Sequence, residues 1–116
     1  MRIAHIDFSD PFNEDMTYQE SMIAKCNVAD GHQVLVITTC YLWNREGKIV
    51  KIRQESKVSA DGYRLVRLEH RHLFNEFISR KIRDIDREKL IRILDNFSPE
   101  IVVLHRFQTL AVKYIA

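Results

Sequence analysis

Two continuous apolar runs, at residues 2–7 and 34–39, flank a stretch with helical spacing, and this pattern constrains the chain more than any other feature. The first is short and ends in charged and turn residues, which suits a buried strand, and the second is too continuous for a half-exposed strand and reads as buried on both faces. Between them, Tyr18, Met22, Ile23, Cys26 and Ala29 fall on one stripe, predicting an amphipathic helix over residues 16–30. Asp15 or Thr17 is placed to cap it, and Gly31 to end it in the left-handed conformation. Strand, helix and strand in this order form a βαβ unit with a parallel sheet and a right-handed crossover. The fold class is therefore α/β, a Rossmann-like parallel sheet flanked by helices.

Beyond this unit the rhythm changes. Residues 41–47 read as a turn-rich connector. Residues 48–53 and 63–68 mix apolar with basic side chains, as short strands at or near a sheet edge do, with a turn at 59–62 before the second. From 72 to 96 the apolar positions again recur at helical spacing, with a change of phase near Asp84 and Asp86, either of which suits a second N-cap. Ser98-Pro99 closes that region, residues 100–105 predict another strand buried on both faces, and an apolar helical stretch over 110–116 ends the sequence. A chain of 116 residues has the size of one domain or a piece of one. Its apolar, uncapped end leads to the expectation that residues 1–116 are a fragment of a longer protein, with exposed apolar surface and a tendency to self-associate.

Composition narrows the function classes. With 46% hydrophobic and 29% charged residues the chain belongs with folded domains, which sets aside disorder, collagen-like repeats and coiled coil. No apolar run approaches the ~18 residues of a membrane span, and no signal peptide opens the sequence, so a cytoplasmic protein is expected. A net charge of +2 gives no argument for nucleic acid as a partner. Its distribution is uneven: residues 63–92 hold nine cations, among them Arg64, Arg67, Lys89 and Arg92, against five anions. That stretch suits either an anionic membrane surface or an ordinary solvated helix face. Cys26 and Cys40 lack metal or redox spacing and read as buried or half-buried free thiols. The five histidines form no ligand set, and no metal is expected. GxGxxG and P-loop motifs are both absent, which disfavours a Rossmann dehydrogenase or a P-loop ATPase.

In open parallel sheets, ligands bind outside the carboxyl ends of the strands. The candidates are accordingly the loop of residues 7–15, residues 38–40, and His105 with Arg106. His105 follows four apolar residues at a strand end, where an imidazole can hydrogen-bond a substrate or exchange a proton near neutral pH, or pack beneath a helix on a backbone carbonyl. Arg106 offers a planar fork for a phosphate or carboxylate, or stands solvated. The loop carries Asp10, Glu14 and Asp15 and no glycine, a poor match for close approach of phosphate.

The order of four segments resembles the start of the family 4 retaining glycosyltransferases. These are Met1-Arg2-Ile3-Ala4-His5-Ile6; Tyr18-Gln19-Glu20 with Met22-Ile23-Ala24-Lys25; Gly31-His32-Gln33-Val34-Leu35-Val36-Ile37-Thr38; and Ser98-Pro99-Glu100-Ile101-Val102-Val103-Leu104-His105. The resemblance implies that the chain is the partial N-terminal, acceptor-side Rossmann-like domain of a GT-B enzyme, with the donor-binding domain beyond it. It implies a sugar moved from a nucleotide-sugar substrate to a hydroxyl of a glycan or lipid-linked acceptor, with retention, no obligatory metal and no cofactor. The fragment alone would be inactive, and a peripheral position on the inner face of a membrane fits such an enzyme. The family's strand usually ends His-x-His. By spacing from Pro99 the second histidine, which reaches the donor sugar, is His105, and Val103 takes the place of the first. Where the family's loop often has a diglycine, Glu14-Asp15 stands, which turns that loop toward acceptor recognition, with Asp10, Asn13 or Gln19 seating the acceptor. The competing class is a non-enzymatic flavodoxin-like or receiver-like binding module, although the acid and lysine set of a receiver is missing.

Overall fold

The computed structural model describes residues 1–8, 11–14, 19–68 and 87–105. Their order is β1 (Arg2–Asp7), α1 (Gln19–Ala29), β2 (Gln33–Thr39), β3 (Tyr41–Trp43), β4 (Ile49–Lys51), β5 (Glu55–Val58), β6 (Arg64–Leu68), α2 (Arg87–Phe97) and β7 (Ile101–His105). Five strands form one sheet in the order β5-β6-β2-β1-β7, and β3 pairs with β4 in a separate antiparallel ribbon. Strands β6, β2, β1 and β7 are mutually parallel, and β5 adds an antiparallel edge. The fold is thus α/β with a mixed, mostly parallel sheet. The parallel strands run third-second-first-fourth in chain order, the Rossmann-like arrangement.

The expected βαβ unit is present, with Arg2 to Asp7 of β1 facing Gln33 to Thr38 of β2. Alternation along the strands builds a core on each face of the sheet. Ala4, Ile6, Leu35, Ile37, Val66 and Leu68 pack on the α2 side against Leu90, flanked by Ile93, Leu94 and Phe97. Val34, Val36, Tyr63 and Leu65 pack on the α1 side with Phe12, Ala24 and Val28, and the Phe12 and Tyr63 rings meet edge to face at 6.4 Å. Gly31 ends α1 at φ 89°, as its position predicts, and its amide bonds the Val28 carbonyl. Gly62, at φ 97°, closes the expected turn before β6.

Several expectations change. The stripe on α1 is rotated: Met22, Cys26 and Ala29 are exposed, whereas Ser21 and Ala24 are buried and Val28 joins the core. Small residues face the sheet because the helix lies close to it, so the most apolar stripe is not the packed one. Cys26 is consequently exposed, and Cys40 alone is the buried thiol. The connector after β2 contains β3, and residues 49–51 pair with it rather than with the main sheet. The edge role passes to β5, a polar Glu-Ser-Lys-Val segment, and β6 lies one strand inward with Leu65 to Leu68 buried. Strand β7 was expected to be buried on both faces. Among the described residues it pairs only with β1, and Ile101 and Val102 are exposed. A continuous apolar run has the same appearance at the centre of a sheet and at an edge that pairs on one side. The expected helical stretches at 72–86 and 110–116 lie outside the described residues.

Candidate functional site

One register row crosses the whole main sheet on the α1 face, at the carboxyl ends of its parallel strands. Glu55 of β5 faces Arg67 of β6, Arg67 faces Thr38 of β2, Thr38 faces Asp7 of β1, and Asp7 faces His105 of β7. All five side chains are polar, and Arg67, Thr38 and Asp7 are buried. The row before it is mostly apolar, with Leu65, Val36 and Val103 beside His5. A sheet whose strands change from apolar to polar at one level places a chemical surface on top of a packed base.

His105 lies beside the switch point. In the strand order β2 lies on one side of β1 and β7 on the other, so the succession of parallel strands reverses between β1 and β7. Its Nε2 is 3.0 Å from Nδ1 of His5, with the ring planes within 24° of parallel and the ring centroids 5.2 Å apart. His5 is buried, and its Nε2 lies 2.7 Å from Oδ1 of Asn27 on α1. Burial holds the His5 pKa below its ordinary 6.5; the Asn27 carbonyl works against that shift and the nearby His105 adds to it. Three elements thus contribute to one line of side chains: Asn27 from α1, His5 from β1 and His105 from β7.

Arg67 organises the other half of the row. Its Nε donates to Glu55 Oε1 at 2.9 Å, its Nη1 to the carbonyls of Thr39 at 3.1 Å and Tyr41 at 3.3 Å, and its Nη2 to the Phe12 carbonyl at 2.7 Å. One guanidinium therefore joins the loop after β1 to the chain leaving β2. The same loop is held by Phe12 N–H on the Tyr41 carbonyl at 3.1 Å and by Glu14 on Lys57 at 2.6 Å. Its acidity is thus partly neutralised, and Arg67 leaves the expected basic surface because it is buried and paired.

Asn13, expected to seat an acceptor, lies in this loop with its amide engaged at both ends. Nδ2 donates to the Trp43 carbonyl and Oδ1 accepts from the Trp43 N–H, each at 2.8 Å. It braces the loop against β3, so its contribution to a site there is to hold the loop's shape. Gln19 falls at the start of α1, where the backbone alone is described. Asp10 and Arg106 lie outside the described residues. Of the predicted site residues, the structure therefore places His105 and Asn13 with their partners, on opposite sides of β1's carboxyl end.

His5, Asn27 and Arg67 were not singled out from sequence. The available signal was a polar residue at an alternate position within an apolar strand: His5 in Ile3-Ala4-His5-Ile6 and Arg67 in Leu65-Val66-Arg67-Leu68. Asn27 has no such signal, since its role depends on which side of α1 meets the sheet. Among the described residues, no group of three His, Cys, Asp or Glu side chains is placed to hold a metal ion, and no helix is long and apolar enough to cross a membrane. A separate cavity of about 610 Å³ lies between β5, β6 and α2, lined in part by Gln54, Arg64, Lys89 and Asn96. No protein-family model, curated protein or solved structure matches the chain.

Proposed function

We propose that this chain is the N-terminal, acceptor-side half of a retaining GT-B glycosyltransferase, acting in polysaccharide or other glycoconjugate synthesis. The observation that carries the reading is the position of His105: at the carboxyl end of β7, beside the switch point, and hydrogen-bonded to a buried histidine. An imidazole fixed by a second ring suits a hydrogen bond to a sugar held above the sheet. The likeness of four sequence segments to the start of such enzymes supplies the substrate class. The donor is a nucleotide sugar, the acceptor a hydroxyl of a glycan or lipid-linked chain, and the nucleotide is held by a second domain. In this reading the loop braced by Asn13 and Arg67 forms the acceptor side, with Asp10 and Gln19 its candidate contacts and Arg106 a candidate for an anionic group.

The test is made in the protein that carries both halves. His105→Ala is expected to lower kcat by about a hundredfold, the usual loss of one transition-state hydrogen-bond partner, while the protein stays folded and loses about 1–3 kcal/mol, because the buried His5 Nδ1 loses its partner. Unchanged turnover removes His105 from the site. Absence of nucleotide-sugar binding by that protein removes the glycosyltransferase reading altogether and favours a binding module.

A further inference from the structure

We propose that Asn27 and His5 are positioning residues that fix the hydrogen-bonding sense of His105, holding it as a donor through Nε2 and making it, not His5, the ring of the pair that takes up charge. The significance for catalysis rests on the reading of His105 above; the assignment of protons rests on the geometry alone.

The Asn27 carbonyl oxygen accepts hydrogen bonds and has none to give. At 2.7 Å from His5 Nε2, it requires the His5 proton on that nitrogen. A neutral imidazole has one N–H, so His5 Nδ1 holds a lone pair, directed at His105 Nε2 3.0 Å away. His105 must then carry its own proton on Nε2. A further proton added at His105 Nδ1 leaves the hydrogen bonds from His105 to His5 and from His5 to Asn27 in place. A further proton on His5 would go to Nδ1, against the N–H of His105, and would place charge on a ring only 1% exposed. Both effects direct the charge to His105.

The surroundings agree. His5 is flanked in register by Val36 and Val103, both apolar, and its contact from α1 is the neutral Asn27. The titratable group beside His105 in register is Asp7, which is buried on the same face of the sheet. In the neutral state any group meeting His105 Nδ1 must itself be a donor, as a hydroxyl is. In the charged state it must be an acceptor. The Asn27–His5 line thus selects between two classes of partner according to the protonation of one ring.

The test is imidazole ¹⁵N NMR on the uniformly labelled chain, with His5→Gln and His105→Gln used to assign resonances. His5 is expected as a fixed Nε2–H tautomer that stays neutral below the pH at which a free imidazole charges, and neutral His105 also as the Nε2–H tautomer. Asn27→Asp places a carboxylate on His5 Nε2–H and draws a second proton onto His5. His5 Nδ1–H then donates, and His105 must switch to the Nδ1–H tautomer. Asn27→Ala removes the lock, and His5 is expected to populate both tautomers. A His5 Nδ1–H tautomer in the unsubstituted chain overturns the proposal. So does an unchanged His5–His105 tautomer pattern in Asn27→Ala with a folded amide spectrum, the decisive arm where Asn27→Asp does not fold. These outcomes require no sugar substrate, so they fail or succeed apart from the glycosyltransferase reading, which nucleotide-sugar binding and turnover decide.

Discussion

His5 and Arg67 both link the polar end of the sheet to stability, and they do so with opposite electrostatic requirements. His5 is held neutral, since burial lowers its pKa below 6.5. Below that pH the unfolded chain binds more protons than the folded one at this position, so stability is complete above about pH 6.5 and declines as the pH falls toward the lowered folded value. The expected outcome is an acid-side loss of unfolding free energy between pH 7 and 5 that is smaller in His5→Gln, measured by urea titration at each pH. Arg67, by contrast, is always charged and satisfies three carbonyl oxygens and one carboxylate. Arg67→Lys keeps the charge and loses the planar fork. It is expected to cost about 3 kcal/mol, because buried carbonyls of Thr39 and Phe12 lose their donor while Glu55 retains Lys57 at 3.8 Å. A loss below about 1 kcal/mol would show that water or a neighbouring donor replaces the fork.

At the scale of elements, the contrast between α1 and the strands explains which parts of the fold could be read in advance. Strand identity follows from composition where the run is apolar, since Val34 to Ile37 are β-branched or Leu and all four are buried as expected, but not for β3 or the polar β5. The helix was legible as an element, including its end at Gly31, but its orientation was not. The packed positions are Ser21 and Ala24, whose small side chains let α1 approach the sheet closely. The phase is directly testable. Met22→Gln, on the outer face, is expected to change stability by less than about 0.5 kcal/mol, whereas Ala24→Leu overpacks the sheet interface and costs about 1–3 kcal/mol, both read from denaturant midpoints. The same limit affected the site. His105 was visible as a polar residue ending an apolar strand. Asn27 was not, because its meaning arises only when that helix face meets β1. The pairing of β7 with β1 alone among the described residues was likewise beyond sequence reading, since pairing partners are chosen by the whole sheet.

At the scale of the whole molecule, strand order rather than strand content places the chemistry. Had β7 joined beside β6, His105 and His5 would stand on separate parts of the sheet; in the observed order they are 3.0 Å apart at a sequence separation of 100. One half of the polar row is a buried scaffold, with Arg67 and Asn13 gripping the loop after β1, and the other half holds the titratable pair. The grip of Asn13 has a practical consequence. Its partner Trp43 is the chain's single tryptophan and is 36% exposed, so the protein carries an optical label already bonded to the loop that borders its candidate site. A ligand that displaces the loop is expected to shift Trp43 emission, and Asn13→Ala to uncouple that signal from binding measured by calorimetry. Occupancy could then be followed by light alone, without a dye or a modified substrate.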